Sequence, residues 1–303
     1  MARVATKYTI DELMSVCIAR QVADGDILAQ GIATPLVMAG YLLAKHTHAP
    51  RISFASAIGN ALVDRPGTVG LTRVEELWLD QALLTFGFTQ IACEFLPRFQ
   101  PKEFIRPAQI DAAGNCNNVI IGADYKLPRV RLPGCGGIAD VTTYYNEIYL
   151  YIPRHSRAAF VEQLDFVSGL GHSPARRLGV GPRYLVSNLG QFDFANGQMR
   201  LITYHPGVTV AKIRTKTGFP LEIAPDLRET TPPTVEDLHL LRQVIDPLGI
   251  RRLETLSGAA RKRALQKILA SERVAAGDRH RPATSSRPLL TSTDQEVNDE
   301  SEF

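Results

Sequence analysis

Ile27-Leu28-Ala29-Gln30-Gly31-Ile32-Ala33-Thr34-Pro35-Leu36-Val37-Met38-Ala39-Gly40-Tyr41 is the stretch that decides the class of fold. Its first three residues read as a short apolar strand, Gly31 as a turn, and Thr34-Pro35 as an N-cap followed by the first helical residue. Leu36, Val37, Gly40, Tyr41 and Ala44 then recur at helical spacing. A strand that turns directly into a helix is half of a crossover unit, so the pattern predicts an α/β protein on a mainly parallel sheet.

The same grammar extends along the chain. Thr9 and Glu12 form a capping-box pattern ahead of Ile10, Leu13, Met14, Cys17 and Ile18. Thr72 and Glu75 repeat it before Leu77, Ala82 and Leu84, and Thr234 precedes Val235, Leu238, Leu241, Val244 and Ile245, with Pro247 as the stop. Apolar, β-rich runs fall at residues 52–55, 119–121, 148–152 and 184–187. Residues 191–194 and 199–204 flank Asn196-Gly197, a hairpin signal. The expectation is an open, mainly parallel sheet flanked by helices, with antiparallel additions toward the C-terminal side. One α/β domain is expected over residues 1–276. From Gly277 onward the chain turns polar and acidic, which predicts a disordered tail over 277–303.

With 303 residues, 45% of them hydrophobic and 21% charged, the chain has ample material for a core. A net charge of +3 does not argue for nucleic acid. The cluster Arg261-Lys262-Arg263 with Lys267 and Arg273 reads as a solvated helix face. No apolar run approaches the ~20 residues needed to span a membrane, and the N-terminus lacks a signal-peptide core, so a cytoplasmic protein is expected. Cys17, Cys93, Cys116 and Cys135 show neither paired nor metal-like spacing, so reduced thiols and no metal site are expected.

Three loops have the composition of a site. Gly31 to Pro35 is a strand-to-helix turn whose amides could hold an oxyanion. Gln109-Ile110-Asp111-Ala112-Ala113-Gly114-Asn115-Cys116-Asn117 brings paired amide donors and acceptors beside a glycine. Gly134-Cys135-Gly136-Gly137-Ile138-Ala139-Asp140 permits positive φ and a close backbone approach to a ligand. His155 and His172 read as surface or loop residues rather than general bases, and His205 as structural. Asp124 and Glu94 have no acidic partner at useful spacing.

Taken in order, these loops resemble the β subunit of class I coenzyme A transferases, of the glutaconate CoA-transferase type, from about Thr9 to Asp246. The family's Gln-[Ile/Val]-Asp-x-x-Gly-Asn-x-Asn loop is matched by Gln109 to Asn117, and its Gly-x-Gly-Gly-x-x-Asp loop by Gly134 to Asp140. Asp165–Gly169, Val186–Phe194 and His205–Thr209 are similar as well. The resemblance implies an α-subunit partner, an active site at the α–β interface, and coenzyme A bound as an acyl-CoA substrate. It implies that Gln109, Asn115 and Asn117 orient the acyl group. Gly31, Gly134, Gly136, Gly137 and Asp140 would lie on the CoA side, with amides around Gly136 and Gly137 facing the developing oxyanion. In typical members a β-subunit glutamate forms an acyl-glutamyl anhydride. The matching position here is Ala55, a vacant nucleophile position, and neighbouring Ser56 lacks an identifiable base. The chain is also similar to the β subunit of the steroid ring-opening CoA hydrolases, which lack that glutamate and use one from the α subunit. Three readings stand: a CoA-transferase subunit, a CoA-ester or cyclic-diketone hydrolase subunit, and a non-catalytic CoA-binding partner subunit.

Overall fold

Five parallel strands form the centre of one ten-stranded sheet; antiparallel pairing begins at both edges, and the outermost strand on the C-terminal side pairs parallel to its neighbour. The structure is a computed structural model that describes residues 3–29, 31, 34–56, 60–72, 81–174 and 176–279. We number the strands of this sheet β1 (Ile27–Ala29), β2 (Ser53–Ser56), β3 (Ala61–Val63), β4 (Ala82–Thr85), β5 (Lys102–Ile105), β6 (Ile148–Ile152), β7 (Tyr184–Ser187), β8 (Gly190–Ala195), β9 (Gln198–Tyr204) and β10 (Glu222–Glu229). Their spatial order is β10-β9-β8-β7-β6-β5-β1-β2-β3-β4. Strands β2, β1, β5, β6 and β7 are mutually parallel. The mainly parallel α/β sheet predicted from the sequence is thus present.

The antiparallel additions occur where expected and at one further edge. They occur at the C-terminal side, where Asn196 and Gly197 take φ of 52° and 74° in the predicted β8–β9 hairpin. They also occur at the opposite edge, where β3 and β4 extend β2. Ala82 to Leu84, read as helix from the Thr72 cap, are therefore strand. Thr72 bonds elsewhere, its hydroxyl donating to Glu272 at 2.6 Å, while Glu75 and Leu77 lie outside the described residues. Ile120–Ile121 pairs with Val130–Arg131 in a separate ladder rather than joining the sheet.

Helices α1 (Ile10–Ala19) and α2 (Pro35–His46) cover one face. They start as read: Glu12 accepts the Thr9 amide at 2.8 Å, and Pro35 occupies the first turn of α2. A Cβ at Gly40 would lie 2.8 Å from both Ile18 Cβ and the Ser15 carbonyl, so glycine lets the helices pack backbone to backbone. Leu13, Ile18, Tyr41, Leu28, Phe54 and Phe104 make the core on that side. The other face buries Ala55, Ile105, Ile148, Leu150, Phe160 and Phe192, beneath α3 (Ile138–Tyr144), α4 (Val210–Lys216) and a helical stretch beginning at Phe88. Helix α5 (Val235–His239), with Thr234 and Asp237 in a capping box, continues as a π-helical turn that ends before Pro247. Helix α6 runs from Gly258 to Arg279, three residues into the expected tail; the remainder of that tail lies outside the described residues. Arg261, Lys262, Arg263, Lys267 and Arg273 of α6 are exposed, as a solvated face requires.

Candidate functional site

Ligands of open parallel sheets gather at the carboxyl ends of the strands, and the predicted loops converge there. Gly31 follows β1, and Ala55 is the third residue of β2. The loop that opens at Gly134 is tethered to the end of β5. The Gly134 amide donates to the Asn118 carbonyl at 2.9 Å, and the Asn118 side chain donates to the Arg106 carbonyl at 3.2 Å.

The first turn of α2 already holds an anion, and it is the chain's own. The Leu36 amide donates to Glu254 at 2.9 Å, and Arg106 and Tyr151 contact the other oxygen of that carboxylate at 2.6 and 2.9 Å. The Leu36 amide, one residue beyond the Gly31–Pro35 turn, thus anchors α2 to Glu254, while Ile32 and Ala33 of that turn lie outside the described residues. Sequence reading missed Glu254, which lies 218 residues away in the chain.

Gln109 and Asn117 come together, Asn115 is held separately, and all three side-chain amides are engaged within the protein. Gln109 and Asn117 are register partners in a two-stranded ladder, both buried. Asn117 donates to Gln109 Oε1 at 2.7 Å and to the Ile120 carbonyl at 2.6 Å, and accepts from the Val119 amide at 2.9 Å. Gln109 donates to Asp165 at 3.1 Å, and Asp165 also accepts from the Gly122 amide at 3.0 Å. Asn115 donates to Asp111 at 2.8 Å and accepts from the Gly171 amide at 2.8 Å. These bonds brace the loop against residues 165–171. Gln109 Nε2 and Asn115 Nδ2 each keep one N–H without an acceptor among the described residues, while both N–H groups of Asn117 are engaged. Bonds of buried amides are costly to leave unmade, which gives these amides a bracing role in the fold.

The glycine-rich loop is the opposite. Gly134, Gly136 and Gly137 take φ of 106°, 50° and 92°, and a Cβ on any of them would meet nothing within 4 Å. Glycine is required here by conformation rather than by crowding. The amides of Gly136 and Gly137 have no acceptor among the described residues. Asp140, in the first turn of α3, is exposed.

Ala55 is buried, and the row of residues beside it explains more than the alanine does. Leu62, Ala55, Ala29, Glu103 and Ile148 are successive register partners across β3, β2, β1, β5 and β6, so their side chains share one face. Glu103 is partly buried, with no hydrogen-bond or ion-pair partner among the described residues. Desolvation lifts its pKa to about 7. Its neighbour Lys102, on the other face, is by contrast paired with Asp26 at 2.6 Å. Tyr145, whose pKa is pushed up by burial and then by Glu103 and Asp140, links this carboxylate to the glycine-rich segment.

The remaining candidates are structural. His155 is buried rather than on the surface, stacked on Phe160 at 3.5 Å and bonded to Ser187 and Thr217 at 3.0 Å each; burial holds its pKa down at about 3. His205 is buried between the Ser187 carbonyl and Thr230, its pKa held to about 4 by desolvation. His172 bonds the Pro182 carbonyl at 2.7 Å. Cys116 is buried with its pKa raised by desolvation, the setting of an inert thiol. Asp124 and Glu94 are exposed, and Ser56 is wholly buried. Among the described residues no cluster has the donors of a metal site, and no helix is long and apolar enough to cross a membrane.

Residues 12–216 match the family model described as coenzyme A transferase. The B component of glutaconate CoA-transferase from Acidaminococcus fermentans is 31% identical over 260 residues, covering 80% of this chain and 94% of that protein. The cholesterol ring-cleaving hydrolase IpdB subunit of Mycobacterium tuberculosis is 31% identical over 256 residues, covering 81% and 98%. The crystal structure of the decarboxylase AibA/AibB superposes with a TM-score of 0.70 at 26% identity, covering 81% and 98%.

Proposed function

The chain belongs to the coenzyme A transferase family, and from that premise we propose that it is the β subunit of a heteromeric enzyme acting on acyl-CoA thioesters beside an α subunit. One observation carries the reading. The Gly31 turn and Ala55 lie at the carboxyl ends of β1 and β2, and the open Gly134–Gly137 loop is tethered through Asn118 to the end of β5, the edge where open parallel sheets take their ligands. The amides of Gly136 and Gly137 are the groups suited to a developing oxyanion, because they are directional, unspent and fixed by positive φ. The exposed apolar residues Leu83, Leu84 and Phe88, on and after edge strand β4, supply surface that a partner chain would cover.

In this reading Gln109, Asn115 and Asn117 act as positioning residues. They hold the strand end and the 165–171 segment in place while the backbone of the glycine-rich loop faces substrate. Ala55 carries a methyl group where the resemblance expects a nucleophilic carboxylate, so an acyl-enzyme anhydride on that position is excluded chemically. That favours hydrolysis of a CoA ester as a second reading, in line with the similarity to a ring-cleaving hydrolase subunit.

The test is co-purification of the chain with its α partner, followed by calorimetric titration with CoA and by thioester assays with and without a carboxylate acceptor. Binding of CoA and acceptor-dependent loss of thioester support transfer, whereas thiol release without an acceptor supports hydrolysis. A complex that ignores CoA and leaves thioesters untouched refutes the proposal, and an α chain with full activity alone makes this subunit non-catalytic.

A further inference from the structure

A carboxylate does stand in the row that contains Ala55, two strands away. β-strands lie about 4.8 Å apart, which puts the Cα atoms of Glu103 and Ala55 about 10 Å apart. Ala29 lies between them, so methyl groups alone separate the glutamate from the alanine along that face. The carboxylate leans toward the carboxyl end of the sheet: a Cβ placed on Gly31 would lie 3.8 Å from Glu103 Oε1. The residues at 29, 31 and 55 carry a methyl group or no side chain, and no guanidinium, ammonium or amide among the described residues claims the carboxylate.

Structural carboxylates in this molecule behave otherwise. Glu254 has Arg106, Tyr151 and the Leu36 amide, Glu12 has Arg242 and Arg251, and Asp246 has Arg251. An unpaired, desolvated carboxylate opposes folding, and nothing in the packing around Glu103 repays that opposition. Such groups persist where they have work to do.

We propose that Glu103 is the general base of this site, activating a water molecule held above Ala29 and Ala55 for attack on a CoA thioester. The inference rests on the acyl-CoA reading given above. The carboxylate takes one proton from water as the water oxygen bonds to the thioester carbonyl carbon, and the oxyanion forms against the Gly136 and Gly137 amides. Collapse of the tetrahedral species breaks the carbon–sulfur bond. The proton on Glu103 passes to the departing CoA thiolate, which leaves a free acid, CoA thiol and the carboxylate restored. A carboxyl group that is half ionised near neutral pH suits both transfers.

The test uses the αβ complex with glutaryl-CoA as probe, reading thiol release without any acceptor, and CoA binding by calorimetry. Glu103→Gln keeps size and polarity, so it should assemble and bind CoA within about threefold while thiol release falls about 100-fold or more. A dicyclohexylcarbodiimide adduct on Glu103, blocked by saturating CoA and seen by peptide mass spectrometry, should report the same open carboxyl independently of turnover. The assignment is overturned if Glu103→Gln retains more than a third of the wild-type rate, or if a CoA-binding wild-type complex releases no thiol. It is also overturned if the acyl group is recovered covalently on Glu103, which would make it a nucleophile. Failure of the complex to bind CoA at all would instead refute the acyl-CoA reading, and this inference with it.

Discussion

The two loops rich in glycine and polar residues have similar compositions and opposite roles. In Gln109–Asn117 every side-chain amide is bonded within the protein, and a Cβ on Gly114 would stand 2.6 Å from Pro182. In Gly134–Asp140 a Cβ on any of the three glycines would meet nothing within 4 Å, and the Gly136 and Gly137 amides have no acceptor among the described residues. Hydrogen-bond accounting separates the two loops where composition does not: the buried amides of the first are engaged by their neighbours, while the exposed Gly136 and Gly137 amides stand open to solvent or a ligand.

The largest effect that tests this contrast is Asn117→Ala. It strands the Ile120 carbonyl and the Val119 amide, and should remove about 3 kcal/mol of unfolding free energy in denaturant titrations. A loss under about 1 kcal/mol would show that the first loop is not the brace described here.

Acid should find the closed region next. The folded pKa of His155, at about 3, lies below its unfolded value, so its stabilising contribution is complete above about pH 6.5 and declines as pH falls toward 3. Between pH 7 and 4.5 the unfolding free energy should drop by about 2 kcal/mol, with His205 adding to the trend. His155→Gln should flatten that slope, and an unchanged slope would remove His155 as its cause.

Glu103 has the reverse sign. Its folded pKa lies above the unfolded carboxylate value, so its contribution is intact below about pH 4 and is lost as pH rises through about 7. Glu103→Gln should therefore leave stability unchanged at pH 4 and raise it by about 1–2 kcal/mol at pH 8. Equal stability of the two proteins at pH 8 would mean that the carboxylate is solvated or paired after all.

The smallest stability change belongs to the open loop. Gly136→Ala and Gly137→Ala should cost about 1 kcal/mol each through positive φ alone, since there is space for the methyl group. Turnover of the αβ complex should nevertheless fall about tenfold or more as the amides are displaced. Undiminished turnover in both would sharpen the contrast differently, leaving the loop open yet idle.

Much of the architecture was legible along the chain because its determinants are local. Thr9 with Glu12, Pro35 in the first turn of α2, Asn196-Gly197 at the hairpin and the stop at Pro247 each act within a few residues, so their readings survive in the structure. Strand β5 was not among the runs read as strand, because Lys102 and Glu103 give its four residues an exterior character. It nevertheless lies inside the sheet between β1 and β6, where Asp26 neutralises Lys102 and nothing neutralises Glu103. Ala82–Thr85 failed similarly, since pairing with β3 rather than propensity makes it a strand.

By itself the sequence determined the α/β class, the helix caps, the hairpin, the family resemblance and the methyl group at position 55. The tertiary structure decided which polar groups are spent and which are left over. Gln109 and Asn117 are engaged by Asp165 and by each other, the Leu36 amide by Glu254, and Glu103 by nothing among the described residues. Burial and hydrogen-bond partnership depend on residues distant in the chain that folding brings within 3 Å or so, and no local pattern encodes them.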